Sequence, residues 1–195
     1  MSEQDRRREL LGVAAELARE RGLARVTGRD VAARAGVSVG LVQYHFGSVE
    51  ELLVELFERE QGQDLANARA AMSRAKSPPK AMQRLADWFV PGPEDWRYRL
   101  WVDAWSLAPH LPLLRAAARS LNLQWRDLFL EVIARGGESG DFDVPDPKAA
   151  AWRVMSLLDA MHIQLSGKQL DASPRTVRRW VEDAIAAELG LRARP

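Results

Sequence analysis

The sequence predicts an all-α fold of about nine helices. Apolar residues recur at three- and four-residue intervals along almost the whole chain. No stretch alternates with period two between turn residues, as strands would. The breaks between the periodic stretches carry helix-boundary chemistry: Ser, Thr or Asp at starts, Gly at ends, Pro in first turns.

Taken in order, the first helix spans about Asp5 to Gly22, with Leu10, Val13, Ala14, Leu17 and Ala18 on one stripe. Gly22 suits its stop. Thr27 caps a short second helix, Gly28 to Ala35, and Gly36-Val37 makes a tight turn. Ser38 caps a third helix of about two turns. Ser48, with Glu51 three residues on, reads as a capping box opening a long fourth helix that runs to Ser77. Pro78-Pro79 is a break, followed by a helix from about Lys80 to Val90. A second break at Pro91-Gly92-Pro93 precedes a Trp-rich helix ending at Ala108. A long helix follows from Leu113 to about Arg135, ended by Gly136-Gly137. Asp146-Pro147 and Ser173-Pro174 each place an N-cap before a first-turn proline and start the last two helices. Two domains are expected, over residues 5–65 and 66–195.

Composition narrows the class. The chain has 195 residues, 47% of them hydrophobic, enough for a real core. It has no cysteine, which excludes disulfides, thiol catalysis and Cys-ligated zinc. No signal-type segment opens it, and no window approaches the roughly 18 apolar residues of a membrane helix. A cytoplasmic protein with no membrane partner, no cofactor and no metal is expected. The net charge is +1. Residues 1–50 hold 8 Arg against 7 Asp and Glu, so charge balance alone says nothing about nucleic acid.

The short third helix carries the functional argument. A two-turn helix cannot stand alone, because helix nucleation is costly. Val42 and Phe46, four apart, hold it inward, leaving Val39, Gly40, Leu41, Gln43 and Tyr44 outward. Two short helices joined by a glycine-containing turn form a helix-turn-helix, whose second helix enters the DNA major groove.

These residues resemble a known pattern. Thr27, Val31-Ala32, Ala35-Gly36-Val37-Ser38, Gly40, Tyr44-His45-Phe46, Ser48 and Leu52-Leu53 are similar to the DNA-binding region of the TetR family of bacterial transcriptional regulators. The match spans about residues 8 to 57. More loosely, residues 99–108, 136–142 and 146–165 resemble the ligand and dimer domain of the family's choline-regulator-like branch. The resemblance implies that Thr27 and Ser38 cap helices and donate to phosphates. It implies that Val39, Gly40 and Leu41 sit against bases, and that Gln43, Tyr44 and His45 reach bases or backbone. Glutamine can pair bidentately with adenine, and Leu41 suits a thymine methyl. Ser48 would hold a phosphate at a helix N-terminus. Gln43 and Val49 stand where the family commonly has tyrosine and lysine. Arg6, Arg7, Arg8, Arg25 and Arg29 are the candidate sources of positive charge, Arg29 being assigned to the DNA surface.

The distal part is rich in aromatics. Trp88, Trp96, Trp101, Trp105, Trp125, Phe129, Trp152 and Met155 are the expected lining of a small-molecule site. The effector is unknown, expected to be hydrophobic or aromatic-stacking, with a cationic group as one option, since tryptophan faces attract cations. Glu94, Asp95 and Asp103 lie near in sequence. The competing reading of most of these rings is plain core filling. By the resemblance, the last two helices pair with their copies in a homodimer through Met155, Leu158, His162, Val177, Trp180, Val181 and Ala184. The expected protein is a ligand-responsive homodimeric repressor on a palindromic double-stranded DNA operator. Two rivals remain at this level. One is a protein-interaction module that has lost DNA. The other is a helical-bundle enzyme, for which Asp159 and His162 offer a single distant analogue of a carboxylate–histidine metal motif.

Overall fold

The computed structural model describes residues 2–90 and 96–191. Among these residues the chain forms nine α-helices and no strand, with one 3₁₀ turn at Leu23–Arg25. The helices are α1 (Glu3–Arg21), α2 (Gly28–Ala35), α3 (Val39–Phe46), α4 (Val49–Ser73) and α5 (Pro78–Trp88). After them come α6 (Trp96–Leu107), α7 (Pro112–Glu138), α8 (Pro147–Ser166) and α9 (Pro174–Glu188). No helix is long and apolar enough to cross a membrane.

Several boundaries differ from the sequence expectation, each for a local reason. Pro78-Pro79 does not separate helices. The pair forms the first turn of α5, where missing N–H groups cost nothing, behind Ser77 as N-cap residue. Pro112 opens α7 in the same way. Gly136-Gly137 lies inside α7, which continues to Glu138. A methyl group on Gly136 would overlap the Phe142 ring, so the glycine makes room for a folded-back aromatic instead of ending the helix.

The chain divides into two compact units that are not successive blocks. The first comprises Met1–Asp64 and Asp95–Asn122, the second Leu65–Glu94 and Leu123–Pro195. One junction between the units falls at residue 65, and α6 and the start of α7 group with the N-terminal helices.

In the first unit α1 packs on α2 and α6, and α2 packs on α3. Leu10, Ala14, Leu17, Val31, Phe46 and Phe57 are among its buried residues. Asp103 of α6 is used structurally. Its carboxylate accepts the Leu23 backbone N–H at 2.5 Å, just past the end of α1. Gly22, at φ 88°, permits that approach, because a Cβ there would stand 2.8 Å from the carboxylate oxygen. In the second unit α9 packs against α5 and α8. Leu85, Phe129, Val154, Leu158, Val177 and Ile185 are buried there.

Candidate nucleic-acid interface

The recognition unit and the start of α4 are built from four caps. Thr27 Oγ1 accepts the Asp30 N–H at 3.2 Å and donates to the Asp30 carboxylate at 2.6 Å. This reciprocal cap holds the Asp30 carboxyl below the usual range, and the Arg21 guanidinium acts in the same direction. Gly36, left-handed at φ 67°, ends α2, with the Val37 N–H reaching the Ala32 carbonyl at 3.0 Å. Ser38 Oγ accepts the Leu41 N–H at 3.2 Å and opens α3. Ser48 Oγ accepts the Glu51 N–H at 3.1 Å. The reciprocal half of the expected capping box does not form, because the Ser48 N–H donates to the Phe46 carbonyl at 2.8 Å.

On α3, Val42, His45 and Phe46 are buried. Gly40, Gln43 and Tyr44 are exposed, and Leu41 is half-buried. Tyr44 reaches 70% exposure and Val39 39%, unusual for side chains of this kind in a folded unit. His45 is placed differently from the other residues expected at the DNA surface. Three residues from Val42, it falls on the inward stripe and is 8% exposed, with Tyr44 set edge-on to its ring at 5.3 Å.

Thr27, Arg29, Val39, Gln43 and Ser48 line one concavity, of about 350 Å³, together with Gly28 and Val49. It thus lies between the N-termini of α2 and α4, where exposed amides favour anions. Five of the ten residues expected to touch DNA therefore converge on one depression, with Gly40 and Tyr44 exposed on the same helix.

Positive charge is distributed differently from the expectation. Arg6 pairs with Glu9, Arg8 with Asp5, and Arg7 with Glu55. Among the described residues Arg25 and Arg29 make no ion pair and remain exposed. Arg7 has a role that the sequence did not reveal. Its guanidinium bonds the Glu55 carboxylate of α4 through Nε at 3.2 Å and Nη2 at 2.5 Å, and donates to the His45 carbonyl. It also covers the Phe46 ring at 4.7 Å. The C-terminal end of α3 is thereby tied to α1 and α4 by one side chain. Arg7→Ala should weaken operator binding about tenfold, since one half-exposed charge-assisted hydrogen bond is worth about 1.5 kcal/mol. Fluorescence anisotropy measures this, and circular dichroism should show unchanged helical content.

The expected effector residues fall in both units. Trp96, Trp101 and Trp105 belong to the first unit, and Trp88, Trp125, Phe129, Trp152 and Met155 to the second. Trp101 stands edge-on to Phe57 at 4.9 Å and tilted against Trp105 at 5.6 Å, which is core packing. The Trp96 face is taken by Arg19 at 4.5 Å, and that of Trp152 by Arg126 at 5.6 Å. Phe129 is fully buried, and Met155 nearly so. Trp125 is buried beside Phe89 at 5.4 Å, and its indole N–H has no partner among the described residues. Glu94 and Asp95 lie outside the described residues.

The expected dimer residues also divide. Met155, Leu158, His162, Val177 and Val181 are buried within their own unit, while Trp180 and Ala184 are exposed. His162 Nδ1 stands 2.8 Å from the Phe89 carbonyl. Among the described residues no group of three His, Asp or Glu could hold a metal.

A capped two-helix unit that displays an uncharged, reaching helix face beside two helix N-termini defines a helix-turn-helix DNA-binding regulator. The chain belongs to the TetR family of bacterial regulatory proteins. The family's N-terminal model matches residues 10–56, and that of the BetI-type transcriptional repressor C-terminal domain matches residues 78–190. The chain is 34% identical over 190 residues to the HTH-type transcriptional regulator BetI of Rhizobium meliloti, covering 94% of this chain and 89% of that one. The protein of the same name from Paraburkholderia xenovorans is 29% identical, with 93% and 94% covered. Among solved structures, a transcriptional regulator from Saccharomonospora viridis in complex with choline has the same fold. It superposes with a TM-score of 0.83 at 24% identity, over 94% of this chain and 96% of that one. The protein is a DNA-binding transcriptional regulator and not an enzyme.

Proposed function

We propose that this regulator is a homodimeric repressor that reads a palindromic operator and releases it when a small molecule binds its second unit. The observation that carries the reading is the exposed face of α3, with Tyr44 70% exposed beside a concavity lined by Thr27, Arg29, Gln43 and Ser48. In this reading Val39, Gly40, Leu41, Gln43 and Tyr44 face base edges. Arg29, Ser38 and the α4 N-terminus at Ser48 hold phosphates. Thr27, whose hydroxyl proton is directed at Asp30, sets the α2 N-terminus and contributes to the backbone contact through that helix end.

Dimerisation uses what α8 and α9 leave uncovered. Ile163 is 42% exposed and Trp180 45%. Ala160 shares the face of Ile163, and Ala184 and Ala187 share the face of Trp180, all exposed. Small residues around one large ring suit close helix approach across a two-fold axis. A dimer presents two α3 helices to half-sites one DNA turn apart or a multiple, roughly 34–36 Å per turn.

The choline bound by the Saccharomonospora relative and the aromatic content of this chain support a cationic effector. The buried indole N–H of Trp125 is a candidate donor to an oxygen of such an effector. α4 and α7 contribute residues to both units and are the candidate levers. The effector must bind the DNA-incompetent state more tightly for release to follow.

Tyr44→Ala tests the base-reading face. Operator affinity should fall about tenfold or more while binding to unrelated duplex changes little. Competition anisotropy separates the two, and an equal loss on both duplexes would reassign Tyr44 to backbone contact.

A further inference from the structure

The second unit contains a cavity of about 170 Å³ walled by α5, α8 and α9. None of the eight residues expected to hold the effector lines it. We propose that this cavity binds a small, uncharged, largely apolar molecule carrying one hydroxyl, of the alkylphenol class.

The wall sets the polarity. Met82, Ala86, Leu158, Val177, Val181 and Ile185 are all buried and apolar. His162 belongs to the wall too. Its Nδ1 must carry the proton, because the Phe89 carbonyl 2.8 Å away only accepts. Among the described lining residues Phe89 is the sole six-membered ring. A cation carried past the rim into the apolar part would exchange its water for one aromatic face, with the Glu182 carboxylate left behind at the rim, which does not repay desolvation.

The rim sets the polar end. Gln83 and Asp87 on α5 face Arg178 and Glu182 on α9. Arg178 is already paired with Asp87. Among the described lining residues the one guanidinium is already paired, and Lys80 Nζ is held at Gln83 Oε1, 3.3 Å away, so an anionic ligand would meet the Glu182 carboxylate, whereas a hydroxyl can donate to Glu182 or accept from the Gln83 amide N–H.

Size sets the class. Packed interiors leave few voids larger than a water molecule, so a space this large, open at a polar rim, has the size and form of a small-molecule site. An apolar cavity of about 150 Å³ in another protein stays dry and takes benzene. Here the volume suits one ring with a short alkyl arm. The occupant leaves the proposed dimer face alone, since Val177, Val181 and Ile185 line the cavity while Trp180, Ala184 and Ala187 point elsewhere on α9. Binding stands apart from the repressor reading; only an effect on operator release would rest on it.

The probe is 4-ethylphenol, added to the full-length protein without DNA. At ten times its dissociation constant it should raise the Tm by roughly 3–6 °C. In isotope-filtered NMR its ring protons should show NOEs to the methyls of Val177, Val181 and Ile185. Ala86→Phe fills the cavity from α5. Met161→Trp does so from a less buried lining position on α8, in case the first variant does not fold. Each folded variant should lose the Tm shift. An unresponsive wild type, NOEs to other methyls only, or an undiminished shift in a folded variant would overturn the proposal.

Discussion

Trp180→Asp should turn the dimer into a monomer in sedimentation velocity, with helical content intact. The ring is 45% exposed in a single chain, so removing it opens no cavity in the protomer. At a two-fold interface the same position would be buried twice, once per subunit, among Ile163, Ala184 and Ala187. An unpaired carboxylate there costs far more than the lost apolar contact. Operator binding should collapse with the dimer. Two linked recognition helices gain on the order of 10²–10⁴ in affinity over one, without any new contact. The variant should therefore lose about that factor on a palindrome and much less on an isolated half-site. A variant that still sediments as a dimer would remove Trp180, and the α9 face around it, from the interface.

Trp101→Ala has the largest expected effect on stability. Trp101 is 7% exposed, edge-on to Phe57 of α4 and tilted against Trp105. Truncating a buried aromatic costs about 3–5 kcal/mol, through lost burial and the cavity left behind. For a chain of this length that lowers the Tm by on the order of 10 °C. The outcome separates two readings of this tryptophan. A core role predicts a large loss in thermal unfolding, with the effector response otherwise normal in the folded fraction. An effector role predicts a changed response and a nearly unchanged Tm.

The local features of the fold were legible in the sequence because they are set by a few neighbouring atoms. Thr27, Ser38, Asp146 and Ser173 all cap the helices expected of them. Gly36 takes the left-handed conformation that its turn requires. What the sequence hid depends on distant partners. Gly136 looks like a helix stop until the Phe142 ring is seen against it. Arg7 looks like a phosphate ligand, yet its partners are 38 and 48 residues away. His45 is a different case, because the signal was present. Its spacing from Val42 already placed it on the inward stripe, and its polarity obscured that. The aromatic residues of α6 and α7 were the least legible, since periodicity says that a ring is buried but not in which unit.

One titration bears most directly on the central claim that the α3 surface enters duplex DNA twice, from a symmetric pair. Labelled palindromes from the chromosomal region upstream of the coding sequence are titrated with protein between 50 and 300 mM salt, with anisotropy as the readout; these are roughly the concentrations over which phosphate contacts weaken. The account predicts one dimer per palindrome and a logarithm of affinity that falls linearly with the logarithm of salt. The slope should be close to −0.9 per phosphate contact. Absence of binding at the lowest salt, or affinity indifferent to both salt and sequence, would contradict it.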